Sequence, residues 1–271
     1  MPSRLVFIAA SIISLVQLAA CVGVNIGPNP GFSIEVEEAA AILDQMEEQP
    51  VVFERPVLVL GGFGDPGYFA ADVAKALGRV CADPDLVTSK TYFFAGTMDD
   101  ARDAVLDQAI TLHADGDEGR LSEMEFDVVG ISMGGLIARY AAIEDGEGRR
   151  LNIRRLFTIA TPHKGAMLAD APTFDQKVIA MRPGSPFLQL LDAELPKREY
   201  ELICYVRMGD GVVGPVNAAP DGINLHWVPN LPLQRAHLQA QKDPRILTDI
   251  ARRLRGETPL VQSVTPLPVE K

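Results

Sequence analysis

The sequence predicts an α/β fold, with helices on both faces of a mostly parallel sheet, and three observations support this. From residue 56 onward, apolar runs of strand length alternate with amphipathic helical patterns. The chain has 271 residues, 47% of them apolar, which is enough for one large core. The string Gly130-Ile131-Ser132-Met133-Gly134 stands between a strand pattern and a helix pattern. Because strands that alternate with helices connect through right-handed crossovers, neighbouring strands are expected to be parallel.

Each element has its own signal. Asp65 is the expected N-cap of the second helix, with Pro66 in its first turn. Thr97 and Asp100 fit a capping box at the start of the third helix. The last helix begins at Asp243-Pro244 and has an apolar face. Strands are predicted at residues 57–60, 91–94, 126–129, 153–159, 201–206 and 224–228, and helices at residues 34–48, 68–80, 97–112, after 134 and at 243–254.

The serine between the two glycines is a candidate nucleophile. A sharp turn from strand to helix needs flanking residues without bulk, and Gly130 and Gly134 supply them. Such a turn lifts the Ser132 hydroxyl above the sheet, over the positive end of the following helix. The alternative is a Gly/Ser loop that merely starts a helix.

A serine hydroxyl needs a base to take its proton and a carboxylate to orient that base. One known chain order is nucleophile, acid, base. His237 precedes the last helix on a loop able to aim the imidazole at Ser132, and it is preferred over His226, which lies within a short strand. His163 follows a strand but precedes the candidate acid, so it is expected beside the site. His113 ends a charged helix and is expected to be exposed.

The preferred acid is Asp210, which follows a predicted strand and has a glycine on each side. Those glycines give the backbone freedom to turn the carboxylate toward the histidine loop. A plain Gly-Asp-Gly turn is the alternative. Asp221 is the second candidate, although its Pro-Asp-Gly turn already explains it.

An ester's tetrahedral intermediate needs backbone N–H donors for its oxyanion. Met133, directly after the serine, and Phe63, in the loop after the first strand, are the expected donors. That loop also reads Gly62-x-Gly64-x-x-Gly67, a dinucleotide-binding pattern. The pattern requires an acidic residue at the end of the next strand, and none stands there, so a nucleotide site is disfavoured.

With these residues in place, the chain resembles the α/β-hydrolase superfamily over residues 56–255. Residues 158–165, the acid turn 209–213 and His237 before a terminal helix are similar to bacterial triacylglycerol lipases and inositol-deacylase-like esterases. The resemblance implies ester hydrolysis through an acyl-enzyme on Ser132, without metal or cofactor. One departure is Gly61-Gly62, where those lipases usually carry His-Gly.

The N-terminal residues have the pattern of an export signal. Arg4 precedes an apolar run too short to span a bilayer, and the run ends in Leu-Ala-Ala-Cys21, which resembles the lipobox of bacterial lipoproteins. We therefore predict a signal peptide at 1–20, a lipidated Cys21 with a tether and peripheral helix to 55, and a location in the bacterial cell envelope, on the outer membrane facing the periplasm. An ordinary signal peptide is the alternative. A cap is predicted at 165–199 and a flexible tail at 256–271.

The net charge of −11 without a basic patch excludes nucleic acid as a partner on electrostatic grounds. Cys81 and Cys204 are expected to be free, buried thiols. The expected substrate is a small-molecule or lipid ester, cleaved by an esterase or lipase. An acyltransferase using the same three side chains and a non-catalytic binding protein of the envelope remain alternatives.

Overall fold

The computed structural model describes residues 27–112 and 124–268. In these residues a six-stranded, wholly parallel sheet is flanked by eight α-helices. The strands are β1 Val57–Leu60, β2 Val87–Lys90, β3 Phe126–Ile131, β4 Ile153–Ile159, β5 Glu201–Arg207 and β6 Leu225–Val228. The helices are α1 Val36–Glu48, α2 Tyr68–Arg79, α3 Met98–Thr111, α4 Met133–Ala141, α5 Gln176–Ala180, α6 Pro186–Glu194, α7 Ala236–Ala240 and α8 Pro244–Leu254.

The strand order is β2-β1-β3-β4-β5-β6, so β1 and β3 lie inside the sheet. Both strands are buried along their whole length, which agrees with their mainly apolar sequences, and the buried Asp127 of β3 is ion-paired with Arg155. Because all six strands are parallel, the loops that follow their carboxyl ends meet at one edge of the sheet. The predicted α/β architecture is confirmed.

Alternate side chains of each strand enter separate cores on the two faces. In β1, Val57 and Val59 pack with helices α1, α2 and α8, whereas Leu58 and Leu60 pack with α3 and α4. This follows from the two-residue period of a strand. The sheet is therefore a rigid platform that is covered on both sides.

The second strand was predicted at residues 91–94, four residues beyond its position in the structure. Residues 91–94 were expected to be the strand because they are aromatic, but the strand is Val87–Lys90, a half-buried edge strand with no apolar run. The aromatic residues lie in the loop beyond its carboxyl end. There Tyr92 is buried and donates its hydroxyl hydrogen to the Gly61 carbonyl, while Phe94 is 95% exposed.

Helix starts agree with the sequence signals in one case and differ in detail in another. The capping box of Thr97 and Asp100 is confirmed at the start of α3. At α2 the N-cap is Gly67, with φ +119°, rather than Asp65. The Asp65 carboxylate still accepts the N–H groups of Gly67, Phe69 and Ala70 from two residues further upstream.

The segments before and after the sheet meet at β6. The Asn29 side chain donates to the Trp227 carbonyl, and the Trp227 indole donates to the carbonyls of Thr265 and Pro266. Gly31 donates to the Thr265 hydroxyl, which joins the two segments directly. Residues 257–268 of the predicted tail contain no helix or strand, but Thr265 and Pro266 are held by the hydrogen bonds from Trp227.

The remaining predictions concern the N-terminal residues, the cysteines and the segment between β4 and β5. The predicted signal peptide, Cys21 and His113 lie outside the described residues. No helix within 27–112 or 124–268 is long and apolar enough to cross a bilayer. Cys81 and Cys204 are free and buried, as predicted. Between β4 and β5, two 3₁₀ turns accompany α5 and α6 in the predicted cap segment.

Candidate active site

Ser132 occupies a strained turn between β3 and α4. Its backbone has φ 51° and ψ −122°, a conformation that non-glycine residues rarely adopt. A Cβ atom on Gly130 would lie 2.4 Å from the Gly135 Cα, and one on Gly134 would lie 2.4 Å from the Leu60 carbonyl oxygen. Glycine is therefore required at both positions for the chain to turn so sharply. Backbone strain that is retained in this way is typical of functional sites.

The structure brings Ser132, His237 and Asp210 together in one hydrogen-bonded row. The Ser132 Oγ lies 3.1 Å from the His237 Nε2, and the His237 Nδ1 lies 2.8 Å from the Asp210 Oδ2. The three residues follow β3, β6 and β5, so they meet because those strands end at the same edge. Both distances are within the range for a base that accepts a hydroxyl proton and is oriented by a carboxylate.

The two oxygens of Asp210 have separate partners. While Oδ2 faces His237, Oδ1 accepts the N–H groups of Val212 and Val213 at 2.9 and 3.0 Å. The residue is 2% exposed, and Gly209 before it has φ +77°. The turn after β5 thus fixes the carboxylate in a single orientation.

Opposing effects act on the pKa of His237. Burial alone lowers it, because the charged imidazolium loses its hydration. The negative charge of Asp210 and its hydrogen bond favour the imidazolium, and the net result is a raised pKa. The pair therefore stabilises the positive charge that the imidazole gains when it takes a proton.

The other sequence candidates lie elsewhere. Asp221 is exposed and pairs with Lys164 on the surface. His226 is within β6, against the ring of Tyr205. His163 is fully buried next to the post-nucleophile strand β4, and burial together with the charge of Arg139 holds its pKa well below the ordinary value.

Sequence reasoning missed the buried Arg139, which links α4, the helix after Ser132, to α6 in the predicted cap segment. Its guanidinium contacts the His163 Nδ1 at 3.1 Å and donates to the Leu191 carbonyl at 2.7 Å and to Asp192 at 3.2 Å. The Nε2 of His163 is bonded to the Thr158 hydroxyl at 3.1 Å. The only available signal was a charged residue on the otherwise apolar face of α4.

The expected oxyanion donors both border the nucleophile. Met133 is the first residue of α4, so its N–H has no acceptor within the helix. A Cβ atom on Gly62 would lie 3.2 Å from the Ser132 Cβ, which places the loop of Phe63 directly against the serine. Asp65 donates its N–H to the Gly62 carbonyl at 3.3 Å and so tightens this loop.

A buried lysine of the cap holds the same loop. The ammonium of Lys177 donates to the Ala95 carbonyl and lies 5.5 Å from the centroid of the Phe63 ring. Lys177 is in α5, so it joins the predicted cap segment to the loop of Phe63. This contact between distant segments had no sequence signal.

Open space is distributed unevenly around the sheet. Beside His237 and the acid turn there is a small cavity of about 20 Å³. A cavity of about 380 Å³ lies at the opposite edge, lined by the end of α4, the start of β4 and residues 194–200. His237 lines the small cavity, so the candidate site lies there and not at the larger cavity. Within the described residues, no cluster of histidine, cysteine, aspartate or glutamate could hold a metal ion.

Fold and geometry together define an α/β-hydrolase fold that presents a serine, a histidine and an aspartate in one row. Solved structures share the fold. Phospholipase PlaB from Legionella pneumophila matches with a TM-score of 0.56 and 13% identity, over 73% of this chain and 59% of that protein. Lipase BlEst2 from Bacillus licheniformis, in its propeptide form, matches with a TM-score of 0.52 and 15% identity, over 82% of this chain and 54% of the lipase.

This chain therefore spans little more than half the length of the phospholipase and of the lipase propeptide form. No protein-family model matches the sequence, and the search of curated proteins found no match. At these identities the comparisons establish the α/β-hydrolase fold, in agreement with the resemblance found in the sequence.

Proposed function

We propose that this chain is a serine hydrolase that cleaves carboxylic esters through an acyl-enzyme on Ser132. The observation that carries the proposal is the row of hydrogen bonds from Ser132 through His237 to Asp210, at 3.1 and 2.8 Å. A protein that only binds a partner has no use for a buried carboxylate that is fixed by its own turn through one oxygen and orients a histidine through the other.

The reaction follows from this geometry. The His237 Nε2 takes the proton of the Ser132 hydroxyl while its oxygen attacks the ester carbonyl carbon. The oxyanion that forms accepts hydrogen bonds from the N–H groups of Met133 and Phe63. His237 then gives its proton to the leaving alcohol, and the C–O bond of the ester breaks. Water repeats the sequence on the acyl-enzyme, which releases the acid and restores Ser132.

The pKa of His237 sets the pH dependence. Only the neutral imidazole can accept the serine proton, so activity rises with pH as the imidazolium loses its proton. Since the pKa of His237 is raised, this rise is expected above the range of an ordinary histidine.

A fluorophosphonate probe tests the assignment. The wild-type chain is expected to be labelled at Ser132 and to hydrolyse a p-nitrophenyl ester, and Ser132→Ala is expected to lose both properties. Asp221→Asn is the matched control, because Asp221 is an exposed aspartate outside the row. Full turnover by Ser132→Ala would exclude the proposed nucleophile.

We further propose that Cys21 carries a lipid that anchors the protein in the bacterial envelope, on the outer membrane facing the periplasm. The proposal is supported by the apolar run and the Leu-Ala-Ala-Cys order in the sequence. Cells fed radiolabelled palmitate should label the wild-type protein, and Cys21→Ser should remove the label. Equal labelling of both proteins would contradict the anchor.

A further inference from the structure

Exposed apolar side chains are concentrated on segments that, like Ser132, follow the carboxyl ends of the strands. Eleven large apolar side chains of the described residues are exposed, and most of them lie on segments that follow the carboxyl ends of the strands. Five of the strands contribute, namely β1, β2, β4, β5 and β6. Because these ends meet at one edge, the side chains lie toward the same edge of the sheet as Ser132. We define this apolar face by six residues: Tyr68, Phe94, Met167, Phe174, Val216 and Leu233.

Three side chains of the apolar face are almost fully exposed. Phe94 is 95%, Phe174 96% and Leu233 92% accessible to water. Leu233 also has φ +62°, a left-handed conformation that is unfavourable for a leucine. A strained backbone that presents an apolar side chain to solvent is costly for an isolated domain. Such a feature indicates a surface that is covered in use.

The opposite edge of the sheet has a different character. A surface cavity there is lined by charged side chains of both signs, including Glu54, Arg55 and Arg154. Two exposed apolar residues on that side, Val51 and Val52, precede β1. The molecule is therefore two-sided, and its apolar side is the one with the candidate active site.

Charge and tether length identify the occupant. A net charge of −11 gives no attraction to an anionic surface, so contact must come from apolar side chains. Asn29 is hydrogen-bonded to Trp227, near the carboxyl end of β6, and only seven residues stand between Asn29 and Cys21. An extended chain of that length reaches about 30 Å at most. With Cys21 in a bilayer, the apolar edge is held close to the same bilayer.

We propose that the apolar face inserts into the surface of a lipid bilayer, so that Ser132 faces the membrane and meets ester substrates that are lipids within it. This rests on the proposed ester hydrolysis, and it adds a substrate class and an orientation. A second copy of the chain covering the face is the competing occupant.

Tryptophan depth measurements test the orientation on the intact, membrane-anchored protein. Phe94→Trp and Phe174→Trp place a fluorophore on the apolar face, and Val52→Trp is the matched control on the other edge. In phosphatidylcholine vesicles with brominated acyl chains, the first two are expected to be quenched strongly and the control only weakly, after subtraction of the buried Trp227. Equal quenching of all three, or a fluorescence change that follows protein concentration and dimer formation without vesicles, would overturn the proposal.

A second measurement connects the face to catalysis. Phe94→Asp, Phe174→Asp and Leu233→Asp are each expected to lower turnover of an ester within vesicles about tenfold relative to turnover of a water-soluble ester, because each removes one inserted apolar side chain. Val52→Asp, on the other edge of the sheet, is the control and should leave that ratio unchanged. An unchanged ratio in all three variants contradicts the membrane face, whereas strong quenching without any ester turnover contradicts only the proposed function.

Discussion

Replacing Asp210 with asparagine separates the two tasks of this carboxylate. In the wild type, Oδ1 accepts two N–H groups from Val212 and Val213, and Oδ2 faces the His237 Nδ1. An asparagine has a single oxygen, and the two backbone donors hold that oxygen in the turn. Its NH₂ group must then face Nδ1. This arrangement favours the histidine tautomer with its proton on Nε2, which points at the Ser132 oxygen and cannot accept the serine proton.

The expected loss is large and has a second signature in pH. A wrong tautomer of the base costs about 10⁴-fold in kcat, which corresponds to about 5.5 kcal/mol of transition-state stabilisation. Without the carboxylate, burial is the dominant effect on the pKa of His237 and lowers it. The acid limb of the residual activity should therefore move to lower pH in Asp210→Asn.

The assay is the pH profile of p-nitrophenyl ester hydrolysis for the wild type, Asp210→Asn and Asp221→Asn. Asp221 is the better-exposed of the two sequence candidates, with a side chain 94% accessible, and its variant should match the wild type. If Asp210→Asn keeps its kcat within tenfold, or if its acid limb moves to higher pH, the reasoning about the oriented base is refuted.

Three further changes probe the surroundings of the site. Gly62→Ala places a methyl group 3.2 Å from the Ser132 Cβ, and kcat should fall by about 100-fold with an unchanged melting temperature; an unaltered kcat would argue against the oxyanion loop. Lys177→Met frees the Phe63 ring and should lower kcat about tenfold with little change in KM, and Lys177→Arg should recover part of the lost kcat. Equal effects on kcat and KM would contradict a positioning role for Lys177. His163 stays neutral in the folded state, so below pH ~6.5 only the unfolded chain takes up a proton at this residue, and the free energy of unfolding falls by up to about 1.4 kcal/mol for each pH unit of acidification. In urea unfolding below that pH, His163→Gln should show a weaker dependence of the free energy of unfolding on pH than the wild type. An identical dependence would disprove this linkage.

The parts of the fold that follow from local sequence were predictable. The strand β1 matched at both ends, because a buried apolar run bounded by Pro56 and a glycine loop has few other interpretations. The edge strand β2 was misplaced, because its half-buried residues carry no apolar run while the aromatic loop after it does. Pairing with β1 outweighed side-chain propensity at this position.

The candidate site shows the same division. Ser132 could be recognised from its strand, turn and helix signals, and the order along the chain then limited the partners to few residues. The links that Arg139 and Lys177 make between the predicted cap segment and the rest of the domain could not be read, because the two ends of each bond, Arg139–Leu191 and Lys177–Ala95, are more than fifty residues apart. Buried cations in such positions are chosen by the packing of the whole domain rather than by a local pattern.

The seam at β6 has a consequence for how the chain is assembled. Residues 29–31 are among the first made of the described domain, and their partners at 262–265 are among the last. Residues 29–31 therefore form these hydrogen bonds only after residues 262–265 have been made. A shortened chain that ends at residue 256 would leave the Trp227 indole without its carbonyl partners and Gly31 without Thr265, so faster proteolysis near residue 30 would report that residues 262–266 were not in place.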